Sequence, residues 1–318
     1  MPWRLRIGSR PSVLAMAQAR LVEDWLKASL PALAIEIVPI RTSGDRLTSA
    51  SLAEAGGKGL FVKELEQALL AGQIELAIHS MKDLPARLSA GFRIAAVPCR
   101  EDPRDALVSH RGGGLGGLRQ GARLGTSSAR RRFEAMRVRP DLDVVPLRGN
   151  VDTRLARLEA GELDAIIIAI AGLRRLGRDG AIAPELLDEQ HFVPAGGQGA
   201  LAVEARDDCG IGGSEELERG VAAINDLQAA AETAAERAYL ATIGASCATA
   251  VGVRAAFDSN HMKAHALLFD REGRHALEDE IEATLADYGL AAAAELGVRL
   301  GERMLARGAA DLVGDGKP

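Results

Sequence analysis

Aromatic residues, cysteine and an apolar leader are all scarce in this chain. Phe, Trp and Tyr make up 3% of 318 residues and the formal net charge is -5, so rings for stacking bases and a general attraction to nucleic acid or anionic membrane are both lacking. Three cysteines, Cys99, Cys209 and Cys247, are odd in number and widely spaced, which fits neither a disulfide framework nor a CxxC metal site; free thiols are expected. The stretch Met1-Pro2-Trp3-Arg4-Leu5-Arg6 has charge but no apolar run behind it, so neither an export signal nor a membrane span is expected, and the location is read as cytoplasmic. His261 and His265 have HxxxH spacing on an expected strand with no third ligand, and no metal is expected.

Lysine is absent from one long stretch. From position 123 to 178 the cations are all arginines, at 123, 130, 131, 132, 137, 139, 148, 154, 157, 174, 175 and 178. A guanidinium binds carboxylate or phosphate through two parallel hydrogen bonds, which an ammonium cannot do. An anion site built into an acidic protein is one reading; a solvated arginine-rich helix face is the plain alternative for each position.

With 47% hydrophobic residues the chain can bury two or three cores. Strand, helix, strand alternation through the first region predicts an α/β fold with a largely parallel sheet: strands at 5–7, 34–40 and up to Ser80, and helices at 13–29, capped by Ser12, and 60–71, stopped by Gly72. Crossings at 99–105 and 192–200 bracket an inserted domain, with a cleft of the kind that takes small ligands. From about 226 an alanine-rich helix, three strands and a helix at about 290–306 form a separate α+β domain. The expected division is 1–99 with 200–217, 100–199, and 218–318.

The apolar strand Leu76-Ala77-Ile78-His79-Ser80 ends in Met81-Lys82-Asp83 before Pro85. Ligands in open α/β sheets bind beyond the carboxyl ends of strands, so Asp83 is the candidate catalytic acid, with a solvated Lys82–Asp83 turn as the alternative. Arg10 stands beside the helix start at Ser12, and Thr126-Ser127-Ser128 opens a helix carrying Arg130 and Arg131; both are candidate anion sites, with a plain capped turn and a surface arginine as the alternative at Arg10. Gly56-Gly57-Lys58-Gly59 lacks the Ser or Thr and the spacing of a P-loop. Gly112 to Gly117 contains GxGxxG without a following long helix or a ribose acid, and reads as a flexible loop. Cys247 lies on a small-residue loop after a helix, accessible to a bulky partner.

Taken together, Ile7-Gly8-Ser9-Arg10, Gly56-Gly57-Lys58-Gly59-Leu60-Phe61-Val62-Lys63-Glu64-Leu65-Glu66, His79-Ser80-Met81-Lys82-Asp83-Leu84-Pro85, Arg100-Glu101-Asp102-Pro103-Arg104-Asp105-Ala106, Gly125-Thr126-Ser127-Ser128, Leu147-Arg148-Gly149-Asn150-Val151, Ala171-Gly172-Leu173, Gly197-Gln198-Gly199-Ala200 and Glu236-Arg237-Ala238-Tyr239 with Cys247 resemble the porphobilinogen deaminase (hydroxymethylbilane synthase) family over essentially the full length. Departures are Ala245-Ser246 where two glycines are common, Ala250 where proline is usual, and Glu54 where a lysine is sometimes found.

The resemblance implies two periplasmic-binding-protein-like domains with mixed, largely parallel sheets flanking a cleft, plus a smaller C-terminal α+β domain. It implies a monomeric transferase that condenses four porphobilinogen molecules, with no nucleic acid or membrane partner, and a dipyrromethane cofactor held by a thioether to Cys247. Lys82, Asp83, Ser128, Arg130 and Arg131 would hold the cofactor. Arg10, Ser12, Lys58, Ser80, Thr126, Ser127, Arg148, Arg154, Arg175 and Gln198 would bind substrate. The rival from another class is a non-enzymatic two-domain receptor for small anions.

Overall fold

The computed structural model describes residues 4–46, 62–110, 112–208, 210–246, 248–285 and 288–313. Lys58, Cys209 and Cys247 lie outside the described residues.

Among the described residues, two five-stranded sheets and one of three strands carry the fold. The first contains β1 (Arg4–Ser9), β2 (Ala34–Pro39), β3 (Leu76–Ser80), β4 (Phe92–Ala96) and β10 (Leu201–Arg206), in the order β2-β1-β3-β10-β4. The second contains β5 (Asp105–Ser109), β6 (Arg123–Gly125), β7 (Asp143–Val145), β8 (Ala165–Ala169) and β9 (Glu185–Leu186), in the order β7-β6-β8-β5-β9. The two orders are one topology used twice. In each sheet a parallel trio is followed by one antiparallel strand, β10 or β5, and then an edge strand antiparallel to that one. Each reversed strand is the one the chain makes immediately after crossing from the other half. The α/β class and the mixed, largely parallel sheets are as the sequence implies.

Local chemistry explains most elements. Ser12 caps the helix Val13–Ser29, its hydroxyl accepting from Ala15 N at 3.2 Å, and Ala19, Val22 and Leu26 from one stripe of that helix are buried against β1, β3 and β10. Leu65, Ala68 and Leu69 do the same for the helix Lys63–Leu70. β8 is buried along its whole length, as its unbroken apolar run requires. One local expectation needs correction. The glycine-rich stretch is not only loop, because Gly113 in the left-handed region starts a short helix, Gly114–Gly117, closed by Gly117 N donating to Gly113 O at 2.8 Å. β8 ends at Ala169, and the chain turns at once into the helix Ile170–Arg175.

The third sheet, β11 (Val251–Asp258), β12 (His261–Phe269) and β13 (Ala276–Thr284), is antiparallel throughout. Helices Leu227–Thr242 and Leu290–Ala306 cover it, with Ala231, Ala235 and Ala293 at full burial so that the two approach closely. His261 and His265 pair with Glu282 and Glu278 across the strands.

This sheet and its helices are joined to the crossings by buried charge. Glu236, fully buried, takes both forks of Arg100 at 2.9 and 3.0 Å, Gly197 N at 2.6 Å and Ala255 N at 2.9 Å. Arg254 and Glu232 extend the network. Removing one member leaves an uncompensated buried charge, which costs on the order of 3–5 kcal/mol. Glu236→Ala is therefore expected to lower unfolding free energy by about that much, measured by urea titration followed by circular dichroism; a change under about 1 kcal/mol contradicts this account.

Candidate active site

The carboxyl ends of the parallel strands in both halves point at one cleft. β1 runs out into Arg10, β3 into Met81-Lys82-Asp83, β6 into Thr126-Ser127-Ser128, β7 toward Arg148, and β8 into the helix bearing Arg175. The halves meet where the start of the helix Val13–Ser29 abuts the helix Ile170–Arg175: Leu14 would lie 3.7 Å from a Cβ placed on Gly172.

Met81 explains why Lys82 and Asp83 face outward. Its side chain is buried among Val62, Leu84, Val97, Ala200 and Ala202, and Met81 N donates to Ala200 O at 3.0 Å. The three-residue turn Met81–Asp83 then presents Lys82 and Asp83 to solvent. Gly197, at φ 75°, passes so close over this turn that a Cβ would strike Met81 Cγ. On one side of Asp83 a pocket of about 60 Å³ is lined by Arg10, Ser12, Gln18, Ser80 and Asp83, among others. Gln18 Nε2 donates to Ser80 Oγ at 2.9 Å. Arg10 is held by Asp45, with Nη2 at 2.5 Å and Nε at 3.1 Å from Oδ1. The nearby imidazole of His79 is buried against Glu204, Nε2 to Oε2 being 2.8 Å.

On the facing wall, Ser128 caps the helix Ala129–Val138 by accepting from Arg131 N at 3.4 Å. Its O–H, like that of Ser12, remains able to donate to an anion. Thr126 is buried and its Oγ1 accepts from Ser128 N at 3.2 Å, while Ser127 is exposed.

The arginines divide into two kinds. The guanidiniums of Arg130 and Arg131 are largely taken up within the protein. Their side chains are 5% and 8% exposed and share one carboxylate, Asp105: Arg130 Nη2 stands 2.8 Å from Oδ2, and Arg131 Nη2 2.7 Å from Oδ1. Arg130 also donates to Glu134 at 2.9 Å and to Val193 O at 2.8 Å. Burial works to raise the Asp105 carboxyl, but the two guanidiniums hold it far below the carboxylate range. Glu134 is pushed up to about 8 by burial, with Asp105 adding to the effect, so it contributes little negative charge at neutral pH. Two cations thus face about one anion.

Arg148, Arg154 and Arg175 are the second kind. Arg148 is exposed, Arg154 donates only to Gly149 O at 2.8 Å, and Arg175 only to Gly199 O at 2.6 Å. Among the described residues none of the three forms an ion pair. Burial lowers Arg154 and Arg175 to about 10, and both stay charged. Lys82 joins this set: desolvation between the walls, then the charge of Arg131, lowers it to about 8, against the pull of Asp83 and Asp105. Because its side chain opens on solvent, water offsets part of that lowering.

Gln198 joins the two walls. It is buried, and its amide is wholly taken up by protein: Oε1 accepts from Lys82 Nζ at 3.2 Å and Arg131 Nη2 at 3.3 Å, while Nε2 donates to Pro103 O at 2.6 Å and Asp105 Oδ1 at 2.8 Å. It has nothing left for substrate.

Sequence reasoning missed Asp105 and Glu134, whose roles arise only from packing. It also passed over Arg237, which belongs to a quoted motif: this guanidinium, lowered to about 10 by burial, reaches Met81 Sδ at 3.9 Å and has no ion-pair contact among the described residues. Ser246 and Ala248 flank position 247 on an exposed loop beyond the helix Leu227–Thr242, with Gly244 at φ 69° breaking the helix.

A cleft with surplus guanidinium on one wall and a carboxylate on the other agrees with the sequence comparisons. The family model "Porphobilinogen deaminase, dipyromethane cofactor binding domain" matches residues 5–210, and "Porphobilinogen deaminase, C-terminal domain" matches 230–306. The chain belongs to the porphobilinogen deaminase family. Relatives named porphobilinogen deaminase include those of Trichlorobacter lovleyi, 40% identical over 99% of this chain and 97% of that one, and Caulobacter vibrioides, 45% identical over 96% of each. The periplasmic aliphatic sulphonate binding protein SsuA from Escherichia coli aligns with a TM-score of 0.41 at 17% identity, covering 76% of this chain and 71% of SsuA. In this deaminase fold a receptor without chemistry is set aside, because both family models match, the C-terminal one included.

The two kinds of arginine should separate experimentally. Arg130→Ala leaves Asp105 its contacts to Arg131 and Gln198 but takes the donor from buried Glu134 and Val193 O, and is expected to cost about 1–3 kcal/mol of stability. Arg154→Ala removes an unpaired charge and should change stability by less than about 1 kcal/mol. Chemical denaturation of both variants decides this, and equal losses refute the division.

Proposed function

We propose that this chain performs its family's reaction with Asp83 as the acid–base group and the unpaired cations of the cleft as carboxylate clamps. The activity is that of a hydroxymethylbilane synthase, a transferase of tetrapyrrole biosynthesis that joins four porphobilinogen molecules head to tail with loss of ammonia. The observation that carries the residue assignment is the surplus of guanidinium over carboxylate opposite Asp83. Each porphobilinogen brings an acetate and a propionate, so every added unit brings two carboxylates for cations that the protein itself leaves unpaired. Arg148, Arg154 and Arg175 bind them bidentately, Lys82 as a point charge, and Ser12, Ser80, Ser127 and Ser128 through hydroxyls. Arg10 joins them by exchanging Asp45 for a substrate carboxylate. Arg130 and Arg131, which share Asp105, offer their remaining N–H groups to the carboxylates of the bound chain. Lys58 is retained as a substrate ligand on the resemblance alone.

The family's dipyrromethane fits this wall because it too is rich in carboxylates; when bound, it supplies the pyrrole end from which the chain is extended. Lys82, Asp83 and Ser128 would hold it, and Cys247 would be its thioether anchor. Asp83 stays near the pyrrole nitrogen of the incoming unit, where its anion stabilises the positive charge left when the protonated amine departs as ammonia. It then accepts the proton lost when the ring regains aromaticity. We place the protein in the cytoplasm as a monomer, divided at 1–99 with 200–217, 100–199 and 218–318, and assign the opening of the cleft to motion at the two crossings.

Asp83→Asn keeps shape and removes charge, so it should abolish turnover of porphobilinogen in a protein that still folds; near-normal turnover rules Asp83 out. Intact mass should exceed that of the polypeptide by one dipyrromethane, an excess that vanishes in Cys247→Ala. Lys82 must be charged to bind a carboxylate and loses its proton as pH rises through its lowered pKa of about 8. KM should therefore increase above about pH 8, and Lys82→Arg should move that rise to higher pH.

A further inference from the structure

We infer that Gln198 is the positioning residue that aims one cation from each half of the molecule, Lys82 and Arg131, at the same ligand anion and ties both to the crossings. This rests on the reading of the cleft given above. Gln198 sits on the second crossing, three residues before β10. Its single carbonyl oxygen accepts from Lys82 of the first half and Arg131 of the second, while Nε2 donates to Asp105 at the start of β5 and to Pro103 on the first crossing. Its backbone oxygen accepts from Arg100 Nε at 3.0 Å, and its neighbour Gly197 donates to Glu236. A neutral amide is the one group that can do all of this. It gives acceptor density to two cations without neutralising either, and it donates to a carboxylate without repelling it. A carboxylate here would pair with Lys82 and Arg131 and consume the charge a ligand needs. An apolar side chain would leave two cations and an anion misaligned.

Charged groups facing the Lys82 ammonium are Asp83 on its own turn and Asp105, Arg130 and Arg131 from the other half. Changing Gln198 perturbs that balance in two opposite directions. Gln198→Glu adds an anion in contact with Lys82, so the pH above which KM rises should move up by about one unit, and KM at neutral pH should rise about tenfold because the added carboxylate competes with substrate. Gln198→Met removes the acceptor, so the same limb should move down while kcat at pH 7 changes less than KM.

Both variants are to be prepared as cofactor-bearing protein, checked by intact mass and circular dichroism, and assayed with porphobilinogen from pH 6 to 10 beside the unaltered enzyme. Opposite shifts establish the positioning role. Equal losses of activity with the limb unmoved mean that Gln198 only stabilises the fold, and overturn it. Failure of both variants to fold overturns it too, since aiming two side chains does not require Gln198 for the three hydrophobic cores. Absence of turnover by the unaltered enzyme would instead count against the functional reading itself.

Discussion

Two buried guanidiniums sharing one carboxylate is the constraint on which the cleft depends. Asp105 is fully buried between Arg130 and Arg131, and Glu134, with its pKa raised to about 8, adds little negative charge at neutral pH. Among the described residues these groups leave the wall with more guanidinium than carboxylate. Burying such an excess costs free energy, which a fold selected for stability alone would avoid by pairing the charges or replacing them with apolar groups. Here the excess faces an opening into which Arg148, Arg154 and Arg175 also bring cations without ion-pair partners among the described residues. A chain whose formal net charge is -5 therefore concentrates positive potential in one place, and field in a cleft between low-dielectric walls acts on a ligand more strongly than the same charge spread over a surface.

The fold was largely legible because its signals are local. Ser12 before the apolar stripe of 13–29 fixes one helix start, and Asp226 does the same for Leu227–Thr242 by accepting from Ala229 N at 2.9 Å. Pro85 and the small polar run after Ile78 mark where β3 gives out. Asp83 was legible for the same reason: a carboxylate just past the end of an apolar strand is a local pattern. The state of each arginine was not. Arg130 and Arg154 look alike in sequence, and what separates them is that Asp105, 25 positions upstream, folds under the first while no carboxylate among the described residues reaches the second. Gln198 shows the same limit, since the motif around it marks a ligand region but cannot say whether an amide faces the ligand or the protein. Pairing over long sequence separations is settled by packing, and packing is not periodic.

The repeated sheet topology links this electrostatic arrangement to motion. Each half is completed by a strand delivered from the other, so both crossings end where the cleft begins: the first in Asp105, the second in Gln198 and Gly199. A Cβ on Gly199 would collide with the carbonyl oxygen of Glu101, so the two crossings lie against each other with no room between them. Rotation of one half on the other cannot leave the Gln198 contacts to Lys82, Arg131 and Asp105 all intact, because Lys82 belongs to the first half and Arg131 and Asp105 to the second. The third domain bears on the same point through Glu236, which holds Arg100 on one crossing and Gly197 on the other. Both crossings and the C-terminal sheet are therefore linked through the same buried polar network. Each carboxylate of a lengthening polyanion that draws on Lys82 or Arg131 would compete with the amide that holds them in register.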